Sequence, residues 1–172
     1  MPSDQDLPAF VRASATLTIR RATMDDLDVL AAWFSDPSVY EYWGGEPIRA
    51  DVVREKYVGE RYPEVVSYIV EEAGLPVGYA QFWDDGDDPA RGFDMVLTAQ
   101  ARGRGLGPQA ARALALAFTA AGWSDLTVDP QLTNQQAIAA WTKAGFVDTG
   151  QRSFDEGETT MILIFTPNAD LD

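Results

Sequence analysis

Seven consecutive residues, Arg102-Gly103-Arg104-Gly105-Leu106-Gly107-Pro108, set three glycines and two arginines directly before an apolar-periodic stretch. A strand, a glycine-rich turn and a helix start together hold anions: glycine lets the backbone approach closely, and the first N–H groups of a helix lack internal partners. Pro108 suits a first helical turn, where its missing N–H would be unpaired anyway. No Gly-Lys-Ser/Thr follows, so this is not a triphosphate-binding P-loop, and its spacing and place in the chain differ from a dinucleotide fingerprint. Just upstream, Asp94 stands alone among apolar residues in Gly92-Phe93-Asp94-Met95-Val96-Leu97-Thr98, and Asp129 precedes Pro130 after another apolar run. A carboxylate so placed can hold a cation or receive a proton. The plainer alternatives are a solvated charge at a strand edge for Asp94 and a turn-capping role beside Pro130 for Asp129.

Composition narrows the chemistry further. Histidine and cysteine are both absent, which removes imidazole as base, ligand or pH switch, and removes disulfides, thiolate metal sites and a cysteine nucleophile. No metal site is expected. Thirteen Lys and Arg stand against 27 Asp and Glu, a net charge of −14. Such a surface repels nucleic acid and attracts polycations. Asp84-Asp85-Gly86-Asp87-Asp88 is an acidic loop that either sits solvated or steers cations toward a cleft. The start of the chain lacks a basic and apolar leader, and the longest apolar run, Ala110 to Ala121, is broken by Arg112 and Thr119. The expectation is a soluble, cytoplasmic protein with no membrane partner. Oligomeric state has no signature in the sequence.

The elements that must position these residues follow from hydrophobic period. Thr16–Arg21 alternates as a strand; Thr23 with Asp25 and Asp26 opens a helix whose Leu27, Leu30, Ala31 and Phe34 share a face, with Trp33 and Phe34 as core. Asp36-Pro37 ends it. Val39–Glu46 is a loop with two aromatics and two glycines, and Ala50–Arg61 is a weaker helix. Val65–Glu71 and Val77–Trp83 form a hairpin across Ala73-Gly74-Leu75-Pro76, and Gly92–Thr98 is a strand leading into the glycine-rich turn. A long helix to Gly122, a short strand Leu126–Asp129, a helix Thr133–Ala144 stopped by Gly145, and a strand pair Phe146–Phe154 and Thr159–Thr166 across Asp155-Glu156-Gly157 complete the chain. The class is mixed α/β in one unit. Residues 1–14 are expected to be a loose tail, 15–167 the domain, and 168–172 a second tail.

The spacing Arg102-x-x-Gly105-x-Gly107 resembles the acetyl-CoA pyrophosphate loop of the GNAT N-acetyltransferase superfamily. Asn134 followed by Ala137-Ile138 and Trp141-Thr142-Lys143-Ala144-Gly145-Phe146 is similar to that family's later helix. Tyr42-Trp43-Gly44-Gly45-Glu46, Gly78-Tyr79-Ala80-Gln81, Arg91-Gly92-Phe93-Asp94 and Asp129-Pro130 resemble its aminoglycoside 6'-N-acetyltransferase branch. The resemblance spans about Thr16 to Thr166. It implies a central, mostly antiparallel sheet with helices on both faces and two parallel strands, Gly92–Thr98 and Leu126–Asp129, splayed apart.

It also implies roles. Backbone N–H groups of Arg102, Gly103, Arg104, Gly105, Leu106 and Gly107 would take the pyrophosphate, Asn134 and Trp141 would meet the cofactor arm, and amides near Val96 would polarise the thioester carbonyl. Asp94 and Asp129 would hold the amines of a polycationic aminosugar, with Asp94 receiving the proton, and Trp43 and Tyr42 would stack on sugar rings or pack beneath their loop. The implied activity is direct acetyl transfer from acetyl-CoA to the 6' amine of an aminoglycoside, conferring antibiotic resistance. Siderophore-precursor acyltransferases of the hydroxylysine type, or acyltransferases of other small amines, share parts of the pattern. A non-catalytic acyl-CoA-binding domain is the reading from another class, because Trp141 stands where the family carries a tyrosine that protonates the leaving thiolate. An indole N–H donates a hydrogen bond but does not readily give up its proton. Tyr68 or Tyr79 would replace that tyrosine only if the fold brought either one close.

Overall fold

The computed structural model describes residues 6–86, 91–155 and 157–169. Eight strands form one sheet in the order β1-β2-β3-β4-β5-β6-β8-β7: β1 Phe10–Arg12, β2 Leu17–Arg21, β3 Val65–Glu72, β4 Leu75–Asp84, β5 Arg91–Leu97, β6 Leu126–Val128, β7 Phe146–Asp155 and β8 Glu158–Phe165. Neighbours are antiparallel except β5 and β6, which run parallel and pair at Arg91–Leu126 and Gly92–Thr127. A side chain at Gly92 would meet the Thr127 carbonyl oxygen at 2.7 Å and the Trp83 ring at 2.6 Å, so glycine is what lets the two strands touch there. Beyond Gly92 and Thr127 the pairing stops and the strands part. The expected splay is therefore present, and it opens toward the end of β5 that carries Asp94 to Leu97.

Helices cover both faces, as expected. α1 Leu27–Phe34, α2 Pro37–Tyr40 and α3 Ala50–Lys56 pack on one face with Ile69, Tyr79 and Val96, while α4 Leu106–Ala120 and α5 Gln135–Ala144 lie against the other with Tyr68, Phe82, Phe93 and Leu163. Strand alternation explains the division: Phe93 faces the α4 side, and Gly92, Asp94 and Val96 face the α1–α3 side. Two departures have local causes. Asp36-Pro37 ends α1 but also starts α2, because Pro37 occupies the first helical position and Asp36 Oδ1 accepts from the Ser38 N–H at 2.9 Å. The weaker helix expected over Ala50–Arg61 stops at Lys56, just before Gly59 turns the chain at φ +95°.

The expected loose start is in part a strand. Phe10–Arg12 pairs with Thr18–Arg20 at the sheet edge, Leu7 and Val11 are buried, and the Tyr68 hydroxyl donates to the Pro8 carbonyl at 2.7 Å. Pro8 hides this signal from hydrophobic period, since it interrupts an alternation only a few residues long. Residues 1–5, Asp87 and Asp88 of the acidic loop, Glu156 of the last turn and residues 170–172 lie outside the described residues. Among the described residues no helix is long and apolar enough to cross a membrane, and no group of acidic side chains is placed to hold a metal.

Asp26 ties the entry of α1 to the sheet. It is 5% exposed, receives two bonds from the Arg20 guanidinium at 2.8 and 2.9 Å, and accepts the Thr23 N–H at 2.8 Å. Burial alone would raise its carboxyl, but Arg20 and Thr23 hold it below the ordinary range. Asp26→Asn is expected to cost about 2 kcal/mol in urea unfolding at neutral pH, because the bonds from Arg20 and Thr23 to the buried group weaken while Arg20, partly exposed, keeps Glu71. The folded value lies below the unfolded one. The contribution is therefore complete above about pH 4 and disappears as pH falls through the folded value, so the gap between wild type and variant must close in acid.

Candidate active site

The glycine-rich turn forms as its residues require. Gly103 and Gly105 take positive φ, and Gly105 at φ +78° caps the start of α4. The first helical bond runs from the Gln109 N–H to the Gly105 carbonyl, so the Leu106 and Gly107 N–H groups have no partner within the helix. Arg102, Gly103, Gly105, Leu106 and Gly107 line an open cavity of about 180 Å³, together with Met95, Val96 and Leu97 of β5, Asn134, and Ala137, Ala140 and Trp141 of α5. Residues from the turn, the splayed strand and the later helix thus share one wall.

The two arginines diverge. Arg102 lines the cavity, donates to the Ser38 carbonyl of α2, and places its guanidinium 4.5 Å from the centre of the Tyr42 ring. Arg104 turns away, and its side chain forms two bonds with Glu72 at 2.6 and 2.9 Å. Only its main chain remains available to the expected anion site. Asn134 lines the cavity, but its Oδ1 caps α5 by accepting the Ala137 N–H at 3.0 Å. Val96 keeps its side chain in the α1–α3 core. Thr98 donates to the Val77 carbonyl and the β4–β5 register carries no bulge. Alternation then turns the Val96 N–H toward β4 and those of Met95 and Leu97 toward the gap. The amides able to meet a carbonyl in the gap are these two, on either side of the expected residue.

Asp94 lies on the opposite face from α4 and α5, half-buried, one residue before Met95 in the cavity wall. Gln81 Nε2 donates to its Oδ2 at 2.9 Å. Loss of water around it pushes its carboxyl above the ordinary carboxylate range, and bonds from the Gln81 and Trp83 side chains oppose that shift without cancelling it. Asp129, exposed, follows β6, where alternation with buried Leu126 and Val128 sets it on the same face as Asp94. The two aspartates thus stand on the two sides of the gap. Asp84 of the acidic loop lies 4.0 Å from the Arg91 guanidinium.

The two aromatics of the Val39–Glu46 segment separate as well. Trp43 joins Phe34, Tyr57 and Tyr79 in a cluster, its ring centre 5.4–6.1 Å from each of theirs, and its indole N–H donates to the Tyr57 hydroxyl at 3.2 Å. Tyr42 is 52% exposed and lines the cavity. Neither tyrosine considered as a replacement at position 141 reaches the cavity: Tyr68 sits on the α4 face bonded to Pro8, and Tyr79 is buried with its hydroxyl on Ser67 and Gln81. Among the described residues, Tyr42 is the one tyrosine in the cavity wall. Sequence reasoning passed over Ser67 and Tyr57, and it set Ala137 and Ala140 in the later helix without a place in the cavity wall. Their proximity depends on strand register and helix placement, and only the polar pair Tyr79 and Gln81 in an otherwise apolar strand gave a hint.

A family model described as an acetyltransferase (GNAT) domain matches residues 16–147. Over 165 residues, 86% of this chain and 82% of the relative, the chain is 33% identical to an aminoglycoside N(6')-acetyltransferase type 1 of Klebsiella pneumoniae, and to the same extent to that of Serratia marcescens. A solved structure of AAC(6')-Ib with paromomycin and acetyl-CoA superposes with a TM-score of 0.78 at 30% identity, covering 88% of this chain and 93% of that one. Another, with coenzyme A and kanamycin, gives 0.77 at 28% identity, covering 88% and 95%. Because the match runs through the glycine-rich turn, the parted strands and the helices that flank them, the chain belongs to the GNAT family of acetyl-CoA-dependent N-acetyltransferases.

Proposed function

We propose that the protein acetylates the 6' amine of an aminoglycoside by direct attack within a ternary complex. The observation that carries this reading is the position of Asp94: a half-buried carboxylate on the α1–α3 face, beside Asp129 across the gap, with the lined cavity on the other side of the same strand. Acetyl-CoA, when bound, supplies an activated acyl thioester. The residues present suit it: main-chain donors at Leu106 and Gly107 for the diphosphate, the apolar faces of Ala137 and Ala140 for the arm, and the Met95 and Leu97 amides for the carbonyl oxygen.

An alkylammonium must lose a proton before it can attack. For an amine of pKa about 8–9 this costs roughly 1.4–3 kcal/mol at neutral pH. Asp94 receives that proton, directly or through water. Its carboxylate also favours the charged amine, which holds the substrate but resists deprotonation. The upward displacement of Asp94 relieves the conflict, since each unit by which it rises removes about 1.4 kcal/mol from the proton transfer. Asp129 and the overall negative charge draw in the remaining ammonium groups, and Trp43 walls the acceptor side through its cluster with Tyr57.

Trp141 cannot readily protonate a leaving thiolate, so solvent does so. Trp141→Tyr is therefore expected to leave kcat unchanged or to raise it by up to about tenfold, short of the roughly hundredfold that a fully positioned general acid contributes. Thiol release under saturating substrates measures it, and a fall in kcat with an intact fold would make the indole itself necessary. The function as a whole is tested by thiol release from acetyl-CoA with kanamycin, with a hydroxylysine-type amine, and with no acceptor. Turnover on kanamycin alone is expected. Turnover confined to the hydroxylysine-type amine would assign a siderophore-precursor acyltransferase, and acetyl-CoA binding without thiol release on any acceptor would assign a non-catalytic domain.

A further inference from the structure

We infer that Ser67, Tyr79 and Gln81 form a one-way hydrogen-bond chain that orients Asp94 for proton transfer, which makes Tyr79 and Gln81 positioning residues of the acetyl transfer. Ser67 Oγ lies 2.7 Å from the Tyr79 hydroxyl, which lies 3.1 Å from Gln81 Oε1, and Gln81 Nε2 lies 2.9 Å from Asp94 Oδ2. Proton counting sets the direction. An ionised carboxylate only accepts, so Gln81 must show it an N–H, and its amide oxygen must then face Tyr79. Tyr79 has one hydroxyl hydrogen, which goes to that oxygen, so Ser67 must donate to Tyr79. Every hydrogen in the chain points at Asp94.

The chain is built into the core. Tyr79 is 0% and Ser67 3% exposed, and a rotated amide at Gln81 would set its oxygen against the half-buried Asp94 carboxylate, so one orientation wins. Ser67 and Asp94 occupy the register positions of β3 and β5 that flank Gln81 in β4, and Tyr79 lies two residues along β4 on the same face. The charged and titratable groups facing this row are Tyr57 and Arg61 from the segment around and after α3, and Asp129 from beyond β6. Trp83 adds a donor to Asp94 from β4. The Gln81 donor on Oδ2 holds the carboxylate still while the proton arrives at its other oxygen.

This inference rests on the reading of Asp94 as the proton acceptor, and the experiment separates the two. Rate against pH is measured for wild type, Tyr79→Phe, Ser67→Ala and Asp94→Asn with kanamycin and saturating acetyl-CoA, with thermal unfolding to establish that each variant is folded. Loss of the Tyr79 hydroxyl frees the Gln81 amide and weakens stabilisation of the charged carboxylate, so the acid limb should move up by about one pH unit. At neutral pH kcat should fall about tenfold, because the lost orientation of the carboxylate outweighs its greater basicity, with KM for acetyl-CoA unchanged. Ser67→Ala, which removes one buried hydroxyl at the far end, should move the limb the same way by less, and it decides the matter if Tyr79→Phe does not fold. If Asp94→Asn is inactive while both chain variants keep the wild-type limb and kcat, the positioning role is overturned and the base stands. If Asp94→Asn keeps wild-type turnover, the base assignment falls and the chain's role with it.

Discussion

Replacing Asp94 by Asn should lower kcat on kanamycin about hundredfold at neutral pH, at the lower end of what a positioned base contributes. The amide keeps the size of the carboxylate and can still meet Gln81, but it can neither accept the ammonium proton nor balance its charge. KM for kanamycin should rise as well, since the same oxygen atoms hold the amine, whereas KM for acetyl-CoA should stay put because Asp94 is outside the cavity wall. In wild type the acid limb of the rate profile should lie above the ordinary carboxylate range, because loss of water around Asp94 raises its carboxyl. The ionised form is the active one, so activity rises with pH through that value and is lost below it. The substitution should also leave the fold as stable or more so. A carboxyl raised in the folded state takes stability away as pH climbs from the unfolded to the folded value, and an uncharged amide escapes that loss. Wild-type kinetics in a folded Asp94→Asn protein would refute the assignment.

The second large effect concerns the turn before α4. Gly105→Val should raise the acetyl-CoA dissociation constant about hundredfold, close to 2.8 kcal/mol. Nothing crowds the position: an ideal Cβ would come no nearer than 3.6 Å, to the Gln109 side chain. The penalty lies in the backbone, where φ is +78° and a branched L-residue is forced toward another region at a cost above the roughly 1–2 kcal/mol of ordinary residues. The turn relaxes, and the Leu106 and Gly107 N–H groups lose their shared aim. Calorimetric titration measures the constant, and Gly105→Ala should fall between wild type and the valine variant. KM for kanamycin should not change, since Asp94 and Asp129 are on the other face. An unchanged dissociation constant in a folded Gly105→Val protein would show that the amides do not grip the diphosphate.

Elements with strong local determinants were legible from the residues alone. Leu27, Leu30 and Phe34 declare α1 by period, Gly122 and Gly145 stop their helices, and the turn Arg102–Gly107 announces an anion site by type and spacing. Partnerships set by register were not. That Gln81 stands opposite Asp94, or that Trp43 packs on Tyr57 fourteen residues away, depends on how strands align and where a short helix ends. Arginine side chains show the same limit: Arg102 and Arg104 are equivalent by composition, yet one lines the cavity and the other pairs with Glu72, because side-chain direction in a turn is settled by neighbours distant in sequence.

The most direct measurement is the product itself. Incubation with acetyl-CoA carrying carbon-13 in the acetyl group and with kanamycin, followed by NMR assignment of the modified nitrogen, should give a single product acetylated at the 6' amine. A label on any other nitrogen, or unmodified kanamycin beside intact acetyl-CoA, would contradict the account.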